Sequence, residues 1–443
     1  MKMQRLLISI LSVLAACFAA QASSSDGGST AAAIRQAAPV EASPPHSRTL
    51  RICEAGEPQL TPLPNDEGYF VAQVRDLTPE SIQTLGLSLP HAVLALQVAA
   101  GGPAAEAGLK PADVILALDG TYGLPVYGFI EAVHKKKPGD TIRVEILRKG
   151  ERQTLTATLV GIVAAAKLEL KGTSMELGLA AEEAVAENFP RDKFPAEWAI
   201  AKYTGGTYAA RLVDTPVDEN WERATAAYEA ALAVPELKAH AEEWTLAQER
   251  LGDTYSIRIR GDQLDNNERA VQAYEAALSH PSAKARPKRW AKLQLKLGQA
   301  YNRLKKSEEA IKAFEAALTV YKSKDDWTDW ITVKAYLGRT YMERTKGDPA
   351  ENNELAIKAF EDATALPAAK DWPQWWARLQ YDLGVAYEKR TVGKKTQNLK
   401  RASRAYDAAL TIFTKDAYPA EHADAEERKA KALARLPPGA YRP

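Results

Sequence analysis

The groups that could serve as nucleophile, general base or metal ligand are sparse in this sequence. Its six histidines, His46, His91, His134, His240, His280 and His422, stand far apart, with none of the His-Glu-x-x-His spacing that aims ligands at one ion. Each reads as a surface or loop histidine. No Gly-x-Ser-x-Gly or comparable nucleophile motif occurs, so acyl-transfer chemistry has no starting point. Carboxylates are abundant, but on helix-patterned segments a solvated face supplies them without any chemistry. Two cysteines are present. Cys53 has no neighbouring histidine or basic cluster to activate it and reads as a bystander thiol. No catalytic residue, metal or cofactor is expected.

What the spacing does supply is a set of side chains placed for packing. Trp198, Trp244, Trp290, Trp330 and Trp376 recur at separations of 46, 46, 40 and 46 residues, a regularity that marks a helical repeat array. Eight residues after each of the last four stands Gly252, Gly298, Gly338 or Gly384, and three further on Tyr255, Tyr301, Tyr341 or Tyr387; the first copy slips by one, giving Gly205 and Tyr208. Each second helix carries Ala, an aromatic and Ala, as in Ala310, Phe314 and Ala317. Small residues at those offsets let two helices approach while the aromatic fills the space between layers.

In four copies the hairpin is longer. There an arginine follows the tyrosine by three (Arg211, Arg258, Arg344, Arg390) and an asparagine precedes the second helix (Asn220, Asn266, Asn352, Asn398). The third copy lacks the extension and has Leu304 in place of the arginine. The guanidinium is expected to bind carbonyls at its own helix end or a loop acid such as Glu222, Glu268 or Glu354, with the asparagine capping the second helix. A ladder of arginines for anionic ligands is the competing reading.

This pattern resembles the tetratricopeptide repeat, which Leu297-Gly298, Tyr301, Ala310, Phe314 and Ala317 match spacing for spacing over about 215 residues. The resemblance implies a solenoid that binds an extended segment or partner helix. The carboxylate clamp of some members is not reproduced: Lys202 is followed by Gly206, and Leu295 by Gln299.

Upstream, Gly68 to about Val160 is built of short β-rich runs between Gly, Pro and Asp, with helical stretches at Pro79 to Leu85 and Tyr127 to Lys136. Its run Pro103-Ala104, Ala107-Gly108-Leu109, Asp113-Val114-Ile115 and Gly120 resembles the core of bacterial PDZ domains, especially those of high-temperature-requirement serine proteases. Such domains take a partner's C-terminus as an added strand while a backbone loop captures its carboxylate. Carried over, Gly68, Tyr69, Phe70, Val71 and Ala72 would be the loop and its strand, with Phe129, Ile130 and Val133 the opposite wall. Val71 and Ala112 stand where the family places glycine, and a branched residue resists the left-handed backbone that points amides at an anion. A domain kept only as a docking surface is therefore the alternative.

The fold class is multidomain: an α+β PDZ-like domain plus an all-α solenoid of helical hairpins. The expected plan is a signal peptide at 1–22, a flexible linker at 23–64, the PDZ-like domain at 65–160, a bridging segment at 161–193 with a helix at Ala180 to Asn188, five repeats at 194–417 and a capping helix with tail at 418–443. Lys2 and Arg5 before the apolar run Leu6 to Leu14 read as an export signal. Two cuts compete, after Ala20-Gln21-Ala22 or before Cys17, which would then carry lipid and give the only membrane attachment. The net charge is +1, which offers nucleic acid nothing. About forty mature residues before Gly68 leave no room for a protease domain of ordinary size. The expectation is an exported, non-catalytic scaffold of the periplasm or cell envelope that binds protein or peptide C-termini. The alternative is an adaptor presenting substrates to a separate envelope protease.

Overall fold

The computed structural model describes residue 69 and residues 72–161, 174–212, 215–323 and 325–437. The chain divides into two compact units, Met1–Ala247 and Gln248–Pro443.

In the first unit the elements run β1 (Ala72–Asp76), α1 (Pro79–Thr84), β2 (Val93–Val98), α2 (Pro103–Glu106), β3 (Val114–Leu118), β4 (Thr121–Tyr122), α3 (Val126–His134), β5 (Thr141–Arg148) and β6 (Glu151–Thr158). The sheet order is β1-β2-β3-β5-β6, with β4 pairing β3. Every pairing is antiparallel. Strand β3 is buried at all five positions, as a strand covered on both faces must be, whereas β5 alternates inward Ile142 and Val144 with outward Thr141 and Arg143. Arg148 pairs with Glu151 across the two-residue turn Lys149-Gly150, where both residues have positive φ (49° and 85°), the mirror-image turn that matches strand twist. Asp113 is the buried staple of this domain. Its carboxylate takes Arg148 Nε and Nη2 at 2.7 and 2.6 Å and the Lys110 amide at 2.8 Å, which explains why the motif needs an acid there. Ala112, just before it, adopts φ 69°.

One face of the sheet packs on α3 through Val93, Ile115, Ile142, Val144, Phe129 and Val133. The other face, carrying Leu94, Leu96 and Leu116, is covered by α4 (Ser174–Asn188) and α5 (Pro195–Ala209), with Val185, Ala186, Phe189 and Ala201 in the same cluster. The bridging helix therefore starts at Ser174, six residues earlier than the sequence pattern indicated, and it is packed on the sheet.

Helices α5 and α6 (Val217–Leu232) form the first hairpin. The hairpins that follow are α7 (Ala241–Ile257) with α8 (Gln263–Ser279), then, after the short α9 (Pro281–Lys284), α10 (Pro287–Arg303) with α11 (Ser307–Val320). They continue with α12 (Trp327–Glu343) and α13 (Pro349–Thr364), α14 (Pro373–Lys389) and α15 (Lys395–Leu410), and the final α16 (Pro419–Ala434). The glycine of each first helix faces the aromatic of the second. A Cβ at Gly252, Gly298, Gly338 or Gly384 would lie 2.5–2.6 Å from the ring of Tyr274, Phe314, Phe360 or Tyr406, so the position admits no side chain. In the first copy Gly206, eight residues after Trp198, takes this place beside Tyr228, and the slip to Gly205 read from the sequence does not occur at the glycine. Among the described residues no helix is long and apolar enough to cross a membrane.

The extended hairpins are held differently from the sequence expectation. The second helices α8 and α13 are capped by Asp262 and Asp348. The asparagines instead close the loop: Asn266, Asn352 and Asn398 donate to Arg260, Lys346 and Val392 carbonyls at 2.8–2.9 Å. Helix α10 of the short copy ends on Lys305 at φ 60°, with the Lys306 amide returning to the Tyr301 carbonyl at 2.9 Å, a helix stop that normally uses glycine.

Candidate peptide-binding site

Strand β1 ends the sheet, and among the described residues it pairs only with β2. An edge strand leaves alternate amides and carbonyls aimed outward, the template on which another chain can add. Helix α3 lies along this strand. At one end of the slot Asp76 Oδ1 accepts the Val126 amide at 2.8 Å, tying the end of β1 to the start of α3. At the other end Tyr69 bridges Val160 through amide and carbonyl bonds of 2.9 and 3.2 Å, and its ring stands 5.1 Å from that of His134.

Of the expected site residues, Gly68, Phe70 and Val71 lie outside the described residues, as do Cys17, Cys53 and both competing cleavage points. Tyr69 and Ala72 are buried, at the head and start of the strand. Phe129 and Val133 are also buried, at 3% and 1% exposure, in the core beneath the sheet. Ile130, between them on the same helix, is half-buried and packs against the same cluster. Sequence reasoning placed His134 among surface histidines and gave Asp76 no role. The structure sets the His134 ring against that of Tyr69, a contact between segments 65 residues apart that no local pattern marks.

The side chains of β1 that point away from α3 are gripped by helix α5. Arg75 pairs with Glu197 at 2.6 Å, with side-chain exposures of 6% and 0%. Glu197 also accepts the Thr78 amide at 2.6 Å, and Gln73 donates to the Tyr208 hydroxyl at 3.3 Å. The candidate binding strand is therefore anchored on a helix from outside its own domain pattern.

In the helical array two arginines of the extended hairpins, Arg344 and Arg390, join neighbouring copies. Arg344 donates through Nε and Nη2 to Glu308 at 2.7 and 3.0 Å, and Arg390 to Glu354 at 2.6 and 2.7 Å. Each also donates to the asparagine of its own copy, Asn352 at 3.1 Å and Asn398 at 3.5 Å. The acid lies 36 residues back, on the second helix of the preceding copy. Of the acids expected from the sequence Glu354 is used, though by the arginine of the following copy, while Arg344 takes Glu308 instead. Hydrogen bonds from Arg390 hold Glu354 below the usual carboxylate range. A second buried group joins α7 to α10: Glu249 accepts Lys296 at 2.7 Å and Arg289 at 3.1 Å, and Lys296 also reaches Asp253 at 2.8 Å. Burial opposes ionisation of Glu249, but Lys296, Arg250 and Arg289 overcome it and hold the carboxyl at about 2.

The family described as PDZ domain matches residues 65–159. The probable periplasmic serine endoprotease DegP-like of Pseudomonas fulva (strain 12-X) is 35% identical over 88 residues, 20% of this chain and 18% of that protein. The protein of the same description from Rhizobium meliloti (strain 1021) is 29% identical over 123 residues, 27% of this chain and 24% of its own length. The chain thus spans less than a third of these relatives. Among solved structures, the HtrA-type protease AlgW with decapeptide matches 22% of this chain and 30% of its own at 33% identity and a TM-score of 0.20. The MamA protein matches 49% and 94% at 18% identity and a TM-score of 0.34. Residues 65–159 are a PDZ domain of the high-temperature-requirement protease type. The tetratricopeptide character of the helices rests on the repeated glycine–aromatic hairpins themselves. A PDZ domain with such repeats is a protein-interaction module.

Proposed function

We propose that this protein is an exported, non-catalytic scaffold of the cell envelope that takes partner C-termini into the slot between β1 and α3 and holds a further partner on its helical repeats. The observation that carries this reading is the position of β1 at the end of the sheet beside α3, the arrangement strand addition requires. The match of residues 65–159 to the PDZ domain family supports it. Capture of the terminal carboxylate falls to residues 68–72, with Val71 as the departure from the family's pattern. Export is supported by Lys2 and Arg5 ahead of Leu6 to Leu14, and the membrane is reached only if Cys17 is lipidated.

A C-terminal peptide library screened against the full chain tests the slot. Binders should lose affinity when amidated and when Ile130 is replaced by Glu. Indifference to amidation overturns carboxylate capture, and indifference to Ile130→Glu overturns the slot itself. Mass spectrometry of the mature N-terminus should find Ser23 or a lipid-modified Cys17; an intact Met1 overturns export. Recovery of a protease with the full chain from envelope extract would favour the adaptor over the scaffold.

A further inference from the structure

The sheet face opposite α3 covers a carboxyl group that the packing leaves without a hydrogen bond. Glu182, on α4, is 1% exposed, and neither of its side-chain oxygens has a hydrogen-bond partner among the described residues. Buried polar groups are nearly always paired, so one that is not needs a reason. The groups that bear on Glu182 are Arg75 from β1 and Glu197 from α5, while Glu243 from α7 bears on Arg75. Its neighbour Glu183 is exposed and faces Arg223 of α6 at 4.0 Å. Arg75 already spends its charge on Glu197 at 2.6 Å. Ionised, Glu182 would add a second buried negative charge to one guanidinium. As the neutral acid it adds none, and only the smaller cost of a buried polar group without a partner remains.

We infer that Glu182, Arg75 and Glu197 form a proton-dependent latch, which joins the PDZ domain to the first helical hairpin while Glu182 keeps its proton and loosens when that proton leaves. Burial raises Glu182 from 4.5 to about 8, with Arg75 pulling down and Glu197 pushing up. A carboxyl raised in the closed state takes up a proton on closing. The stability it confers is complete below about 4.5, is lost progressively as pH rises towards about 8, and is flat beyond. One linked proton makes opening about tenfold easier per pH unit across that window. The joint carries β1 on one side, yet the latch does not depend on whether β1 binds peptide.

Native-state hydrogen exchange of the full chain tests this, following β1 and α4 from pH 5 to 9 after correction for the intrinsic pH dependence of exchange. The opening constant should rise about tenfold per pH unit between about 5 and 8 and then level. Glu182→Gln, which keeps the shape of the neutral acid, should abolish the slope, and Glu182→Met should do the same if the amide packs poorly. His240 meets Glu80 at 3.5 Å across the same joint, so His240→Asn should keep the slope. A flat profile in the unmodified protein, or a slope that survives both neutral variants, overturns the inference.

Discussion

Replacing Arg390 by Met removes two hydrogen bonds to Glu354 and one to Asn398 while keeping most of the packed stem. The side chains of Arg390 and Glu354 are 20% and 34% exposed, between the surface and buried limits. Exposed pairs contribute about 0.2–1 kcal/mol, and a two-pronged arginine contact lies towards the top of such a range because one ordered fork makes both bonds. A coupling of about 1 kcal/mol is therefore expected between Arg390→Met and Glu354→Gln in a double-mutant cycle, read from urea unfolding of the full chain. The coupling should fall in 1 M salt, where screening acts over about 3 Å. It should also fade in acid: Arg390 lowers Glu354 in the folded state, so the contribution is present above the ordinary carboxylate value and lost as pH falls through the lowered one. The third copy is an internal control, since the residue 36 places after Glu268 is Leu304. Glu268→Gln should change stability by no more than about 0.5 kcal/mol. Zero coupling at low salt, or an equal cost at Glu268, would refute the inter-repeat staple. Unchanged unfolding of Arg390→Met with lost partner binding would restore the anion-ladder reading.

Two further substitutions probe the array. Lys305→Gly should raise stability by about 0.5–1 kcal/mol, because Lys305 is exposed and held at φ 60°, a conformation costing a side-chain-bearing residue about 1–2 kcal/mol, offset in part by the freer unfolded chain; a loss on urea unfolding refutes it. Glu249→Gln should cost about 3 kcal/mol by leaving buried cations undercompensated. The interval from 4.5 down to about 2, at about 1.4 kcal/mol per pH unit, gives the same figure. Acid titration should show it directly, since this stability is present above 4.5 and lost as pH falls towards about 2, a loss that Glu249→Gln should no longer display.

The hairpins were legible because their glycine, aromatic and alanine positions are fixed by contact. A Cβ at Gly298 has nowhere to go, so the residue announces the packing. The strands β2 (Val93–Val98) and β3 (Val114–Leu118) were legible as apolar runs between turn residues. The Arg–Glu staples were half legible. That arginine and loop occur together follows from comparing copies, but the partner lies in another copy, and only a 36-residue offset between acid and arginine could have revealed it. The covering of the sheet by α4 and α5 was hidden because α4 begins beside a stretch with little turn punctuation, although Ala181, Val185, Ala186 and Phe189 do lie on one helical stripe. Nothing in the local pattern around Arg75 names Glu197 as its partner, since 122 residues and a change of fold type separate them. Phe129, Ile130 and Val133 were expected together on one wall, but periodicity alone did not separate the buried Phe129 and Val133 from the half-buried Ile130.

The covered sheet face also bears on how the molecule can be taken apart. A fragment cut near residue 160, where the domain pattern ends, would lift α4 and α5 from Leu94, Leu96 and Leu116 and leave Arg75 without Glu197. That piece would carry an open oily patch beside the very strand meant to recruit peptides, and would be prone to pair with itself. The smallest portable version of this PDZ domain therefore extends into the first helical hairpin, so any transplant between proteins must carry both.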